Sequence, residues 1–258
     1  ETVRARSVVQ NFLKPTQLTR YQALSELLEA DVYVKHENHH PTGTFKIRGG
    51  VNLIHHLKKK NAKGVITFST GNHGISIATA AAWHDMQATV VVPENNNPVK
   101  NRAIIETGAE LVESGRTFEE ASKIVDRLCR ERGLYYAHPA NEPLLINGVG
   151  TEFLEIVEDL PDIDVMIVPL GAGSEAAAAI TTLRSFCPRI EIIGVQGANS
   201  PAAYNSWKSK QISSAANTTF AGGFATGTAY EIPFQIYSTG LDDFVLLTED
   251  EIYESIAM

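Results

Sequence analysis

Cysteine is nearly missing from this 258-residue chain, which carries only Cys129 and Cys187. Two thiols build neither a disulfide framework nor a four-thiolate metal centre, and such sparing use fits a reducing, cytoplasmic compartment. Positive charge is also in short supply. Lys and Arg number 22 against 30 Asp and Glu, a formal net charge of −8, which repels nucleic-acid backbones instead of recruiting them. Long apolar runs are absent as well. The uncharged stretch from Gly64 to Trp83 is broken by Ser69, Thr70, Asn72 and His73, so no membrane span is expected. The first twenty residues carry Arg4, Arg6, Lys14 and Arg20 and lack the ordered regions of a signal peptide. What remains is 43% hydrophobic and 20% charged, ordinary globular usage with length enough for two domains.

From Val32 onward, strand-like apolar runs alternate with helical periodicity, the pattern of a parallel α/β sheet covered on both faces. Strands are expected over 32–37, 64–68 and 89–92, and helices over 46–60, 74–83 and from Pro98 to near Gly108. Phe118, Ala121, Ile124, Val125, Leu128 and Cys129 share one helical face, which marks it as core. A second series follows: helix 151–158, strand 165–168, helix 176–186, strand 190–195 and strand 243–247, with 211–228 as loop. Two successive βα arrays predict two lobes and a ligand cleft. Thr248 caps a final helix whose first turn is acidic. That helix has only about two turns before Met258, so the fold is expected to continue further.

Four motifs carry possible chemistry. His36-Glu37-Asn38-His39-His40 satisfies the H-E-x-x-H pattern of zinc proteases, but that pattern needs a helix, and Val32-Tyr33-Val34 before it and Pro41 after it predict a strand entering a loop. No metal is expected there. Gly171-Ala172-Gly173-Ser174-Glu175-Ala176 follows a strand and opens a helix, a geometry whose amides and dipole hold phosphate. A nicotinamide dinucleotide would need an acid at the end of the next strand, where Gln196 stands. A cofactor monophosphate is therefore favoured, with an unliganded tight turn as the bland alternative. In Thr42-Gly43-Thr44-Phe45-Lys46-Ile47-Arg48-Gly49-Gly50 a lysine sits at a helix start, where the positive dipole end disfavours its ammonium form and suits an amine nucleophile that meets a carbonyl. By itself it could equally be a solvated surface lysine. Ser69-Thr70-Gly71-Asn72-His73-Gly74 is a polar loop ahead of an Ala-rich helix, fitted to bind a carboxylate or simply to cap.

Together, the lysine motif, the Ser-Thr-Gly-Asn-His-Gly loop and the later glycine turn resemble the fold-type II pyridoxal-phosphate enzymes, and among them the threonine and serine dehydratases and serine racemase. The resemblance runs from about Pro15 to the end and includes Glu37-Asn38, His138-Pro139, Glu142-Pro143 and Val168-Pro169. It implies a two-lobe, three-layer parallel-sheet α/β fold of the tryptophan synthase β-subunit-like kind. A large cofactor-phosphate domain would comprise 1–49 with 147–258, and a small inserted domain 50–146. It implies pyridoxal 5'-phosphate as cofactor, joined to Lys46 as a Schiff base, with Phe45 against its ring and Asn72 on its phenolic oxygen. Gly171, Ala172, Gly173 and Ser174 would cradle the phosphate, and Ser69, Thr70, Asn72 and His73 would receive the substrate. The implied reaction is α,β-elimination, dehydration with deamination, of a small L-β-hydroxy amino acid such as threonine or serine to a 2-oxo acid and ammonia, and the implied assembly is a homodimer. Thr70 stands where serine racemase has its second base, so one-base chemistry through Lys46 is expected. Val195-Gln196-Gly197 and Ala221-Gly222-Gly223 lack the acids that form the cation site of those relatives. The turn departs from the all-glycine pattern at Ala172 and Ser174, and Gly148-Val149-Gly150-Thr151 has valine where glutamine is frequent. A β-replacement enzyme of the same fold type and a catalytically silent cofactor-binding homologue are the alternatives, with a nicotinamide oxidoreductase further off.

Overall fold

The computed structural model describes residues 1–115 and 118–258, which form two compact units. The first comprises Glu1–Pro139 and Asn147–Asp159, the second Ala140–Ile146 and Leu160–Met258. In chain order the first unit holds α1 Thr2–Val9, β1 Leu18–Arg20, α2 Gln22–Leu28, β2 Tyr33–Lys35, α3 Lys46–Lys59, β3 Val65–Phe68, α4 Asn72–Trp83, β4 Ala88–Val92, α5 Pro98–Glu106, β5 Glu110–Glu113, α6 Phe118–Arg132, β6 Tyr135–Tyr136 and most of α7 Pro143–Asp159. The second holds β7 Val165–Pro169, α8 Ser174–Phe186, β8 Glu191–Gly197, α9 Ala202–Ser209, α10 Glu231–Gly240, β9 Asp243–Leu247 and α11 Glu249–Ala257.

The first unit is built on a parallel sheet of order β5-β4-β3-β6. Successive side chains on a strand face opposite ways, and β4 shows the result. Val90 and Val92 pack with Ala78 of α4 and Ile104 of α5, whereas Val91 packs with Ile66, Phe68 and the α6 residues Ala121, Val125 and Leu128. This is the three-layer arrangement that a continuous apolar strand demands. Ile124 and Cys129 join that α6 face, and the Phe118 side chain expected with them lies outside the described residues. Truncating one of the fully buried members, such as Ile66, would cost about 2–5 kcal/mol.

The second unit has a parallel sheet of order β7-β8-β9. Val168, Ile192 and Phe244 on one face are buried, while Val165, Ile167 and Val245 on the other are exposed. Segment 211–228 holds no helix or strand, only a bridge between Ser214 and Thr228. Thr248 caps α11 in a reciprocal capping box with Glu251.

The grouping differs from the expected division at residues 49 and 146. Helix α3 runs unbroken across residue 49, and a Cβ on Gly50 would meet the Ser76 carbonyl oxygen of α4 at 2.9 Å. The continuous helix joins 1–49 to the segment expected to be a separate insertion, while 140–146 groups with the second unit and 147–159 with the first. The H-E-x-x-H segment is a short 3-10 turn at Glu37–His39, not an α-helix, so its histidines do not share a helical face.

Candidate active site

Lys46 is the first residue of α3, and Phe45 at the N-cap makes no side-chain capping bond. Gly43 turns the chain into the helix with φ of 67°, a conformation suited to glycine, while its N–H donates to the His40 carbonyl at 2.7 Å. The Lys46 Nζ lies 4.6 Å from the centroid of the Phe45 ring, a cation–π contact that keeps the half-buried amine over an aromatic face. Two residues on, Arg48 is wholly buried. Its guanidinium binds Glu37 through Nε and Nη2 at 2.7 and 2.8 Å, and Glu155 of α7 through Nη1 and Nη2 at 2.6 and 2.7 Å. Lys35 of β2 adds a 2.7 Å ion pair to Glu155, and Thr16 donates to Glu37 at 2.6 Å. His40 Nε2 lies 3.1 Å from Glu37 Oε2 without the alignment of a hydrogen bond. Two doubly gripped carboxylates balance the buried cation. This cluster clamps the start of α3 to β2 and α7, so the turn bearing Lys46 is anchored on its far side.

The loop Ser69–Gly74 joins β3 to α4. Ser69 N–H donates to Val91 O at 3.1 Å, continuing the ladder one residue past β3, and Ser69 Oγ accepts from Gly71 N at 3.2 Å. No side chain caps α4, so its first amides are unspent. Thr70 is exposed and Asn72 half-buried. A Cβ on Gly74 would meet Val90 Cγ1 at 2.9 Å, which is why the helix can start this close to β4. Lys100 of α5 donates to Asn72 Oδ1 at 3.0 Å. Lysine only donates, so this bond fixes the amide with Nδ2 turned away and available to an acceptor. His73 is buried, with Nε2 3.2 Å from the Ala137 carbonyl. Burial, and then the charge of Lys46, hold its ring neutral down to about 3.

In the second unit, Leu170 N–H bonds Val195 O at 2.8 Å, after which Gly171-Ala172-Gly173 turns into α8. Gly173 has φ of 90° and makes no side-chain cap. A Cβ on Gly171 would fall 2.1 Å from the Gly223 carbonyl oxygen, and one on Gly173 2.9 Å from Pro233 Cβ. The turn thus presents bare main chain and an uncapped helix start, with Ser174 buried in the first turn. No Lys or Arg lies between Asp164 and Thr182. A phosphate here would be held by amides and the helix dipole, and the residues present fit that role. Glu175 places a carboxylate in the same first turn. Gln196 Oε1 accepts from Tyr204 N at 3.0 Å, and Gly223 packs on Gly171. Among the described residues no group of three or more His, Cys, Asp or Glu is arranged to hold a metal ion, and no helix is long and apolar enough to cross a membrane.

Sequence reasoning reached Lys46, the loop and the glycine turn, but missed Lys100, the Ala137 carbonyl and Glu155. Each comes from a segment whose local pattern shows only an ordinary helix or strand end.

An amine at one helix start, an uncapped helix start in the same unit and a bare glycine turn are the furniture of enzymes that use a phosphorylated aldehyde. Residues 9–258 match the family of pyridoxal-phosphate dependent enzymes, and the chain belongs to it. It is 34% identical over 254 residues to L-threonine ammonia-lyase of Thermotoga maritima, covering 98% of this chain and 63% of that protein. To L-threonine ammonia-lyase of Geobacter sulfurreducens it is 37% identical over 242 residues, covering 93% of this chain and 60% of that one. The chain therefore spans about three fifths of those relatives' length. Its fold matches the crystal structure of serine racemase from Dictyostelium discoideum with a TM-score of 0.92 at 30% identity, covering 98% of this chain and 82% of that one.

Proposed function

We propose that this protein eliminates water from a small L-β-hydroxy amino acid, L-threonine or L-serine, and that hydrolysis of the dehydrated product returns that water and gives a 2-oxo acid and ammonia. The observation that carries it is the placement of Lys46 at the start of α3 with its Nζ over Phe45, in the same compact unit as the uncapped loop Ser69–Gly74. The likeness to two L-threonine ammonia-lyases supports the same reading.

Lys46 would hold the aldehyde carbon of pyridoxal phosphate, Asn72 its phenolic oxygen, Phe45 its ring and Gly171 to Ser174 its phosphate. When bound, that group supplies a conjugated ring that takes up the electron pair left at the substrate α-carbon. The Lys46 amine, once released by substrate, takes the α-proton as general base. The amides at the start of α4, with Ser69 and Thr70, hold the substrate carboxylate and orient the Cα–H bond. Thr70 occupies the position that the resemblance to serine racemase gives to a second base. Its β-branched side chain is stiff at χ1 and its methyl fills space a serine leaves open, so proton return from that side is slow and elimination outruns racemisation. Free Cys129 and Cys187 support a cytoplasmic setting, and a homodimer is part of the proposal, to be checked by light scattering.

The test is to load the protein with pyridoxal phosphate, add L-serine or L-threonine with and without chelator, and assay 2-oxo acid and D-serine. Oxo acid without D-serine, unaffected by chelator, is the expected result. Appreciable D-serine, or activity lost to chelator and restored by magnesium, overturns it. Product seen only with a thiol or sulfide co-substrate would assign the β-replacement reaction.

A further inference from the structure

The loop that receives the substrate carboxylate on the reading above offers amides and hydroxyls, but no positively charged side chain of its own. His73 is the one residue of the loop whose type could carry such a charge. It is buried, bonded to the Ala137 carbonyl and neutral across the working pH range. Lys46 is committed to the cofactor on the reading above. A further cation comes from α5. Lys100 Nζ sits 3.0 Å from Asn72 Oδ1, and its Cδ and Cε pass 3.9 Å from the position a Cβ on Gly71 would take. The side chain therefore lies along the loop and ends at the start of α4.

Its platform is well held. Asn97 caps α5 by accepting from Val99 N at 2.9 Å, Pro98 occupies the first turn, and buried Asn101 bonds Asn96 at 2.6 Å and Glu113 at 3.0 Å. Lys100 is half-buried, and Asn72 is its hydrogen-bond partner; no carboxylate pairs with it among the described residues. An ammonium has three donors, and Asn72 uses one. A partly desolvated ammonium with donors to spare, beside a helix start whose amides are unspent, is complementary to a carboxylate.

We infer that Lys100 is the specificity-determining counter-charge for the substrate's α-carboxylate, held at the loop by its bond to Asn72. The inference rests on the amino-acid reading above and adds to it a selection rule. Amino acids with a free carboxylate bind, and their uncharged amides are refused.

Isothermal titration of the cofactor-loaded protein with L-alanine, which has no β-leaving group, and with L-alaninamide tests this without reference to turnover. Wild type should prefer alanine. Lys100→Met should weaken alanine binding by about tenfold or more, the worth of a charge-assisted bond, and leave alaninamide unchanged. Lys100→Arg should restore the preference. Lys100→Gln keeps a donor for Asn72 without the charge, and should show the same selective loss as Lys100→Met. It also serves if Lys100→Met folds poorly. Equal weakening of both ligands would make Lys100 a support for the loop alone and overturn the inference, as would an unchanged preference in Lys100→Gln. Wild type that binds neither ligand would overturn the amino-acid reading itself, a result distinct from either.

Discussion

Arg48 and Glu37 meet through two parallel hydrogen bonds of 2.7 and 2.8 Å in the interior of the first unit, two residues after the lysine on which the proposed chemistry depends. Burial would raise the Glu37 carboxyl, but His40 and Arg48 beside it bring it well below the ordinary range. Removing one partner leaves a buried charge uncompensated. Arg48→Ala should therefore lose about 3–5 kcal/mol of stability, measured by urea unfolding at pH 7. A depressed carboxyl contributes stability above its unfolded value, near 4.5, and loses it as pH falls below that. The wild type should accordingly weaken in that range, and the acid sensitivity should be smaller in a Glu37→Gln, Arg48→Met double variant.

His73 adds a second acid-sensitive element at higher pH. Its ring titrates at about 3 in the folded protein against 6.5 when unfolded. The unfolded state therefore binds the extra proton first, and stability falls as pH drops from 6.5 toward 3 by up to about 1.4 kcal/mol per unit. His73→Gln retains a donor for the Ala137 carbonyl but has no titrating group. Its unfolding free energy should be flatter across pH 4–6 than the wild type's, and parallel slopes would show that the ring is not held neutral.

Lys46 should be the residue modified when the cofactor-loaded protein is reduced with borohydride and digested. Mass mapping of the pyridoxyl group to the peptide containing Phe45-Lys46-Ile47 is the expected outcome. Label on Lys35, Lys58 or Lys100 would sink the assignment. Lys46→Ala should lose both colour and turnover, and Lys46→Arg should rescue neither, because a guanidinium stays protonated.

The glycine turn should resist substitution by reason of space as well as conformation. A Cβ on Gly171 meets a backbone oxygen at 2.1 Å, and Gly173 sits at φ of 90°. Gly173→Val should weaken retention of pyridoxal phosphate on dialysis, followed by absorbance, and free phosphate should compete where NAD does not. Ala172→Ser, at a position free of either constraint, should retain the cofactor. A Gly173→Val protein that keeps the cofactor as wild type does would place the phosphate elsewhere.

Most of the secondary structure was legible in the chain because its signals are local. The β-branched runs at 65–68 and 88–92 favour strands buried on both faces. The alanine-rich stretch after Gly71, the Pro98 start and the Thr248–Glu251 capping box announce their helices in the same way. The short strands β1, β5 and β6 and the helices α1, α2, α9 and α10 carry no such local signal. Three residues or so of mixed polarity become a strand only when a neighbouring strand offers its edge, and α10 carries Pro233 near its start.

The sequence by itself determined which residues have the chemistry: an amine at a helix start, a loop that ends at unspent amides, and a turn of glycines that admits close approach. Those properties belong to a residue type and its immediate neighbours. Only the tertiary structure decided which of them carry charge and which are supports. It buried His73 against Ala137 and left it neutral, and it brought Lys100 from another helix to Asn72. It also closed Arg48 between Glu37 and Glu155, eleven residues away on one side and 107 on the other. Desolvation and pairing depend on what the rest of the chain places around a group, and no local pattern contains that information.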